Sequence, residues 1–334
     1  MINRLLLIFI VLGLFTHCSS DCDHEQDTSQ IDITVDVKRI DQKMADVETT
    51  DDIKQLYKKH PALATFIHHN IIDIDSVAIN FLHYAATASK ADTLRNIVQR
   101  EFEDISGMIN DITEGFKYVK YYYPDFEAPE IYTIFSSFGG LDIHVSDNFM
   151  LIGLEYFLPE KSPQLKVAAQ YPEYMLKYMT PDHIPSKTFY FLSNKYNASD
   201  MLDQTLLSDM ITHGKALYFT KRMLPCTEDS IILEYNSKEM AFINQYKDKI
   251  WSHFVTNELF YNESRDIEVK YLNPRPKTLE VADQCPGRIG RWVGYEIVSK
   301  YMERHPDTTL PELMEMEDAK EIFNQSRYKP KPSS

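Results

Sequence analysis

Glycine is scarce, ten residues in 334, and none of the glycine-dependent cofactor signatures is present. There is no G-x-x-x-x-G-K-[ST], no G-x-G-x-x-G and no G-x-S-x-G, which removes nucleotide-dependent and serine-hydrolase chemistry and leaves no cofactor to expect. A helical H-E-x-x-H is missing too: the only His-Glu pair is His24-Glu25, in a polar stretch with no second histidine behind it. Positive charge is in deficit. Thirty-five Lys and Arg stand against fifty Asp and Glu, a formal net charge of −15, so a nucleic-acid backbone is not a partner. The one small basic group, Arg327, Lys329 and Lys331, closes the chain and reads as a solvated tail. Long apolar runs are absent after the first fifteen residues.

What is abundant is aromatic surface to bury: 21 Tyr and 18 Phe in a chain that is 43% hydrophobic. That is enough for one large core or two lobes, and the shortage of glycine favours packed helices over a turn-rich barrel. Arg4 and the apolar run Leu5 to Phe15 have the size of a signal-peptide h-region and are too short to span a bilayer. FTHCSS follows and resembles a bacterial lipobox, although His17 stands where a small residue is usual. Cys18 is the expected lipid attachment point, with an ordinary secretory signal and a free Cys18 as the alternative. The expected organisation is a signal peptide at 1–17, a lipidated flexible tether at 18–30 and a single large domain at 31–334, with room for two lobes. Three cysteines remain, Cys22, Cys226 and Cys285, and an exported location permits disulfides. A Cys226–Cys285 bond is one option, subject to geometry that spacing does not fix.

IDITVDVKRI at 31–40 alternates like a half-buried strand, and EIYTIFSSF at 130–138 and LDIHV beyond Gly139-Gly140 are further strand candidates. Helical periods cover 41–100 with a break at His60-Pro61, then 101–123, 147–158, 203–223, 238–262, and a closing helix through LPELMEMEDAKEIFNQS. The prolines at 163, 172, 181 and 185 break 160–200 into short pieces. The fold class is therefore α+β, predominantly α-helical, with a small antiparallel or mixed sheet near the N-terminus and a helical body.

The densest stretch is 285–302, CPGRIGRWVGYEIVSKYM. Pro286 reads as the first turn of a helix in which Ile289, Val293, Ile297, Val298 and Tyr301 recur at helical spacing. Gly290 and Gly294 share one side of it, and each costs about 1 kcal/mol against alanine inside a helix. A backbone packing directly on that ridge would offset the cost. Trp292 is an expected packing anchor, and Arg288 and Arg291 near the helix start call for a carboxylate partner. Glu296 has Lys300 four residues on, the orientation of a surface pair, and Glu155 lies in an otherwise apolar segment.

Few histidines are placed to share a metal ion. His68 and His69 are adjacent, so on a helix they point about 100° apart and do not share an ion. His213 precedes Gly214 on the 203–223 helix, and an unorthodox site of His213, His183 and a carboxylate is the only metal set the spacing offers. The candidate helix at 186–196 carries no histidine, so no metal ligand set is expected and the protein reads as non-catalytic, with a metallopeptidase-like hydrolase built on that atypical site as the alternative.

PGRIGRWVGYEIVSKYM and AKEIFNQSRYKPK at 319–331, with VKRID, KYYYPDFEAPEIYTIFSSF, LIGLEYFLP, YPEY at 171–174, LLSDMITHGKALYF and IWSHFVTNELFY at 250–261, resemble the gliding-motility lipoprotein GldB family of Bacteroidetes-type bacteria. The resemblance covers most of the chain. It implies a lipid-anchored cell-envelope protein tied to gliding motility and type IX secretion, working on other envelope proteins. It also implies a zincin-like fold that has lost the zinc site, with His213, Glu155 and Glu296 marking the remnant groove and Pro286, Gly287, Arg288, Gly290, Trp292, Gly294 and Tyr295 the structural signature. Departures are local: Glu155 and Pro159 alter an expected LD-x-YLG pattern, His213 replaces an acidic residue, and Cys285 replaces a small polar one. A surface-exposed nutrient receptor is a further alternative, because Asp21 and Asp23 resemble surface-export signals.

Overall fold

The structure is a computed structural model that describes residues 26–61, 63, 76–88, 93–138, 141–158 and 171–331. The signal peptide, Cys18, Cys22, His68, His69 and the Gly139-Gly140 turn lie outside those residues. Helices of two turns or more are numbered in chain order: α1 Thr50–Lys59, α2 Ser76–Ala88, α3 Thr93–Glu101, α4 Ser106–Tyr122, α5 Ile184–Leu192, α6 Leu206–Met223, α7 Ser237–Gln245, α8 Lys247–Thr256, α9 Arg265–Leu272, α10 Ile289–Arg304 and α11 Ala319–Ser326. The strands are β1 Val37–Arg39, β2 Glu130–Ile134, β3 Ile143–Val145 and β4 Phe149–Gly153. The molecule is thus mostly helical with one small sheet, the expected α+β class.

The sheet runs β1-β2-β4-β3. β1 pairs parallel with β2 and β2 parallel with β4, whereas β3 and β4 form the antiparallel edge. Alternation then sends successive side chains to opposite faces. Ile131, Met150 and Ile152 enter the large core, and Tyr132, Ile134 and Leu151 enter a smaller one closed by Ile53, Leu56 and Tyr57 of α1 and Ile79, Leu82 and Ala86 of α2. Both faces are covered, which is what a mainly parallel sheet requires. α1 is started by a capping box in which Thr49 and Asp52 satisfy each other's backbone N–H groups. Asp41, buried just after β1, accepts from Arg39 and from the Thr133 hydroxyl and so ties β1 to β2.

Several expectations are corrected. The segment 147–158 is a strand, β4, followed by a single 3-10 turn at Leu154–Phe157; an apolar run buried on both sides carries no period that separates strand from helix. Only Val37–Arg39 of the 31–40 stretch pairs as strand. The 238–262 period is split at Tyr246 into α7 and α8, and a further helix, α9, follows at Arg265–Leu272. Of the tether, residues 26–30 lie on the body: Thr28 is buried and shares a cleft with Gly115, Tyr118 and Cys226. Among the described residues no helix is long and apolar enough to cross a membrane.

The glycine ridge does what its cost demands. A Cβ on Gly294 would run into the Met210 carbonyl, and one on Gly214 would run into the backbone of Gly294 and Tyr295, so α6 and α10 cross backbone to backbone. Gly290 does the same toward α9, where a Cβ would stand 3.0 Å from the Tyr271 carbonyl oxygen. Pro286 is not in the helix. It forms an isolated bridge with Lys277, and its carbonyl accepts from the Thr278 hydroxyl at 2.7 Å. Helix α10 starts at Ile289, after Arg288 in a left-handed conformation (φ 57°).

A cation-lined cavity at the crossing of α6 and α10

The close crossing decides what meets. His213 precedes Gly214 on α6, and Arg291 lies one residue after Gly290 and three before Gly294 on α10, so both side chains line one cavity of about 350 Å³. α5 contributes Lys187, Tyr190 and Phe191, the segment after residue 232 contributes Glu234 and Tyr235, and the short helix Glu173–Leu176 and its extension contribute Tyr174 and Tyr178. Trp292 and Gly287 complete the α10 side.

Glu234 is the hub. Its carboxylate takes Lys187 Nζ at 2.8 Å on Oε1 and Arg288 Nη1 on Oε2, and its carbonyl takes Arg288 Nη2 at 3.0 Å. Burial alone would raise this carboxyl, but Lys187 and Arg288 outweigh burial and hold it well below the usual carboxylate range. Burial would likewise lower Arg288, and the Glu234 charge more than offsets it, so the guanidinium stays charged. Arg288 also lies over the Tyr178 ring, 4.8 Å from its centroid. Both partners of the pair have positive φ, 54° at Glu234 and 57° at Arg288, a conformation that costs a non-glycine residue about 1–3 kcal/mol and persists only where the surroundings enforce it.

Arg291 is held differently. Its Nε donates to the Leu272 carbonyl at 2.7 Å, at the C-terminal, electronegative end of α9, and it has no ion pair among the described residues. The expected carboxylate partner is thus found for Arg288 and not for Arg291. His213 sits between these cations, its Nδ1 bonded to the Tyr190 hydroxyl. Burial, then Arg291 and Arg288, push its imidazole down to about 3, so it is neutral at ordinary pH.

The other sequence candidates are elsewhere. Glu155 is buried under the end of β2, where Oε1 accepts from Ser136 N–H at 2.7 Å, Ser136 Oγ at 2.6 Å and Phe138 N–H at 3.2 Å. Burial raises its carboxyl, and Oε2 has no partner among the described residues. Glu296 pairs with Lys247 at 3.3 Å and accepts from Tyr328 at 3.1 Å, while Lys300 bonds Glu303 at 2.6 Å, so the expected Glu296–Lys300 pair is not formed. His183 bonds Thr180 at 2.7 Å and is absent from the cavity lining, which separates it from His213. Among the described residues no group of three or more His, Cys, Asp or Glu side chains could hold a metal ion. Trp292 packs as expected and carries Lys247 over its ring at 5.6 Å. Gly287 lies against Arg275, leaving no room for a Cβ, and Tyr295 is partly buried with burial raising its phenol.

The Cys226–Cys285 pairing is also corrected. Cys285 is a free thiol, fully buried with its Sγ 3.7 Å from the Pro286 carbonyl oxygen, and Cys226 is disulfide-bonded. Burial pushes the Cys285 thiol up to about 12, so it stays protonated at ordinary pH.

Spacing missed Glu234, Lys187, Tyr190 and Lys215. Lys215, two residues beyond His213, is buried and donates to the carbonyls of Ala198, Met314 and Met316 at 2.6, 3.2 and 2.7 Å; burial lowers its amine to about 8. It pins the chain after α10 to α6. The one available signal was a pair of arginines at a helix start, where the dipole disfavours cations.

Fold and cavity together define a mostly helical α+β protein whose central pocket is built from cations, phenols and one neutral imidazole. Residues 21–330 match the family model described as gliding motility protein GldB, and the chain belongs to that family, which makes it a gliding-motility-related protein. No curated protein and no solved structure matches it.

Proposed function

We propose that the protein is a lipid-anchored component of the bacterial cell envelope that serves the gliding and type IX secretion machinery by binding other envelope proteins, without catalysis. Family membership supports the motility setting, and the h-region with FTHCSS supports acylation of Cys18. The observation that carries the non-catalytic part is the company of His213. Two guanidiniums and a phenol surround the one histidine that spacing offered as a ligand, and a divalent cation placed there would face Arg288 and Arg291. The site repels what a metallopeptidase must hold.

Metal analysis of the full-length chain, purified in detergent without chelators, tests this reading alongside His213→Ala. The expected result is well below one equivalent of zinc in both; zinc near one equivalent in the wild type and lost in the variant would overturn it. For the anchor, Cys18→Ala should abolish fatty-acid labelling and move the chain out of the membrane fraction, whereas retention of label would reject Cys18 as the attachment point.

A further inference from the structure

The charges around the cavity do not cancel. Its lining holds four cations, Lys187, Arg275, Arg288 and Arg291, and one carboxylate, Glu234. Glu234 is shared between Lys187 and Arg288, and Arg275 is taken by Glu280 at 3.1 Å. Arg291 is left over. Its Nε is fixed on the Leu272 carbonyl, which orients the guanidinium, and neither terminal nitrogen bonds to any described residue. Arg291 is half-buried and is the one cation of the wall with no counter-ion among the described residues, so the arrangement favours an anion supplied from outside. The N-terminus of the 16-residue α10 opens beside the same wall, since Gly287 and Arg288 line the cavity directly before it, and adds its partial positive charge.

The rest of the lining says what kind of anion. Tyr174, Tyr178, Phe191, Trp292, Met175 and Leu217 make most of the wall apolar or aromatic. A sugar phosphate or nucleotide would bury a polar body against them. The fixed guanidinium fork matches a planar pair of oxygens. His213 is neutral, with Nε2 carrying no partner among the described residues, so it adds a polar contact without adding charge. At about 350 Å³ the space lies at the lower end of ligand-pocket sizes.

We propose that this cavity binds a carboxylate carried on an apolar or aromatic body, with Arg291 as the anchoring fork. Resting on the protein-binding reading above, the source is the C-terminal carboxylate of a partner's peptide rather than a free organic acid.

Calorimetric titration of the full-length chain in detergent tests this with four probes: N-acetyl-Leu-Phe as the free acid, the same peptide as its C-terminal amide, benzoate, and inorganic phosphate. The acid is expected to bind at least tenfold more tightly than the amide, benzoate more weakly than the peptide, and phosphate not at all. Arg291→Gln should remove the acid-over-amide preference, and Arg265→Gln, at an exposed arginine paired with Glu268, should keep it. The acid-to-amide comparison needs no variant, so a poorly folded Arg291→Gln would not spare the proposal. Equal binding of acid and amide, an unchanged preference in Arg291→Gln, binding of phosphate alone, or no binding by any probe would overturn it. Benzoate binding more tightly than the peptide acid would overturn the peptide source and keep the carboxylate. Failure of all four probes with no zinc bound would leave the non-catalytic reading standing, which separates the two.

Discussion

Glu155 is fully buried and Glu234 mostly so, with 16% of its side chain exposed, and the molecule treats the two glutamates in opposite ways. Glu155 has no cation beside it among the described residues; three donors crowd one oxygen, and burial raises its carboxyl. Glu234 has two cations on its two oxygens and is held ionised well below the usual range. Burial is common to both, so the partner decides the charge state. Glu155 closes a loop under the sheet. Glu234 organises a cavity.

The strongest way to break that contrast is Glu234→Gln, which strands Lys187 and Arg288 without their shared counter-charge. A loss of about 3–5 kcal/mol is expected, the range for removing one partner of a buried pair, read from urea unfolding followed by tryptophan fluorescence. A loss under about 1 kcal/mol would place the cluster among surface pairs of little worth.

The frame beneath the cavity can be tested at its closest point. Gly294→Ala pushes a Cβ into the Met210 carbonyl and should cost about 1–3 kcal/mol or more as α6 and α10 separate. Gly107→Ala, near the start of α4 with open space around it, should instead be neutral or gain up to about 1 kcal/mol. Similar losses at both positions would refute the backbone contact.

A pH series sharpens the comparison with a smaller effect. Glu155 has a raised carboxyl, so between its ordinary value and the raised one the folded state holds a proton that the unfolded state has released. Stability from this group is complete at lower pH and falls as pH rises through that window. Glu234 has a lowered carboxyl: its contribution is complete above the ordinary value and is lost as pH falls below it. Glu155→Gln should therefore flatten the decline that begins above the ordinary carboxylate value by at most about 1.4 kcal/mol per pH unit, while Glu234→Gln should flatten the loss below that value. Asp209, pushed up to about 6 mainly by burial, slopes in the same direction as Glu155, so the difference between wild type and variant is the quantity to follow. Slopes of the same sign for the two variants would contradict the assignment.

The smallest effect is a labelling pattern. Without reductant, Cys226 should resist alkylation even after denaturation, and Cys285 should react only once the chain is unfolded. Rapid labelling of native Cys285 would show that its burial is wrong.

Much of the helical frame was legible in the sequence. The 203–223 period gives α6 within a few residues, and the cost of glycines inside a helix calls for a backbone packed on the α10 ridge without saying that it is α6. β4 was not legible, because FMLIG is buried on both faces and a continuous apolar run suits strand and helix alike. The cavity was half legible. Arg288, Arg291 and His213 stood out, yet Glu234 lies 47 residues from Lys187 and 54 from Arg288, and nothing in LEYN announces an ion pair at that distance. The remnant-groove set of His213, Glu155 and Glu296 was assembled by resemblance. The fold scatters it: Glu155 beneath the sheet, Glu296 on Lys247 and Tyr328, and only His213 in the cavity.

The central claim is that His213 is held neutral in a pocket that attracts anions and repels cations. Nitrogen-15 NMR of the His213 ring, assigned by its loss in His213→Gln, reads this directly as pH is varied and as zinc is added. The ring should stay neutral from pH 8 down to pH 5, and one equivalent of zinc should leave its shifts in place. Protonation with a midpoint near 6.5, or a coordination shift on adding zinc, would contradict the account.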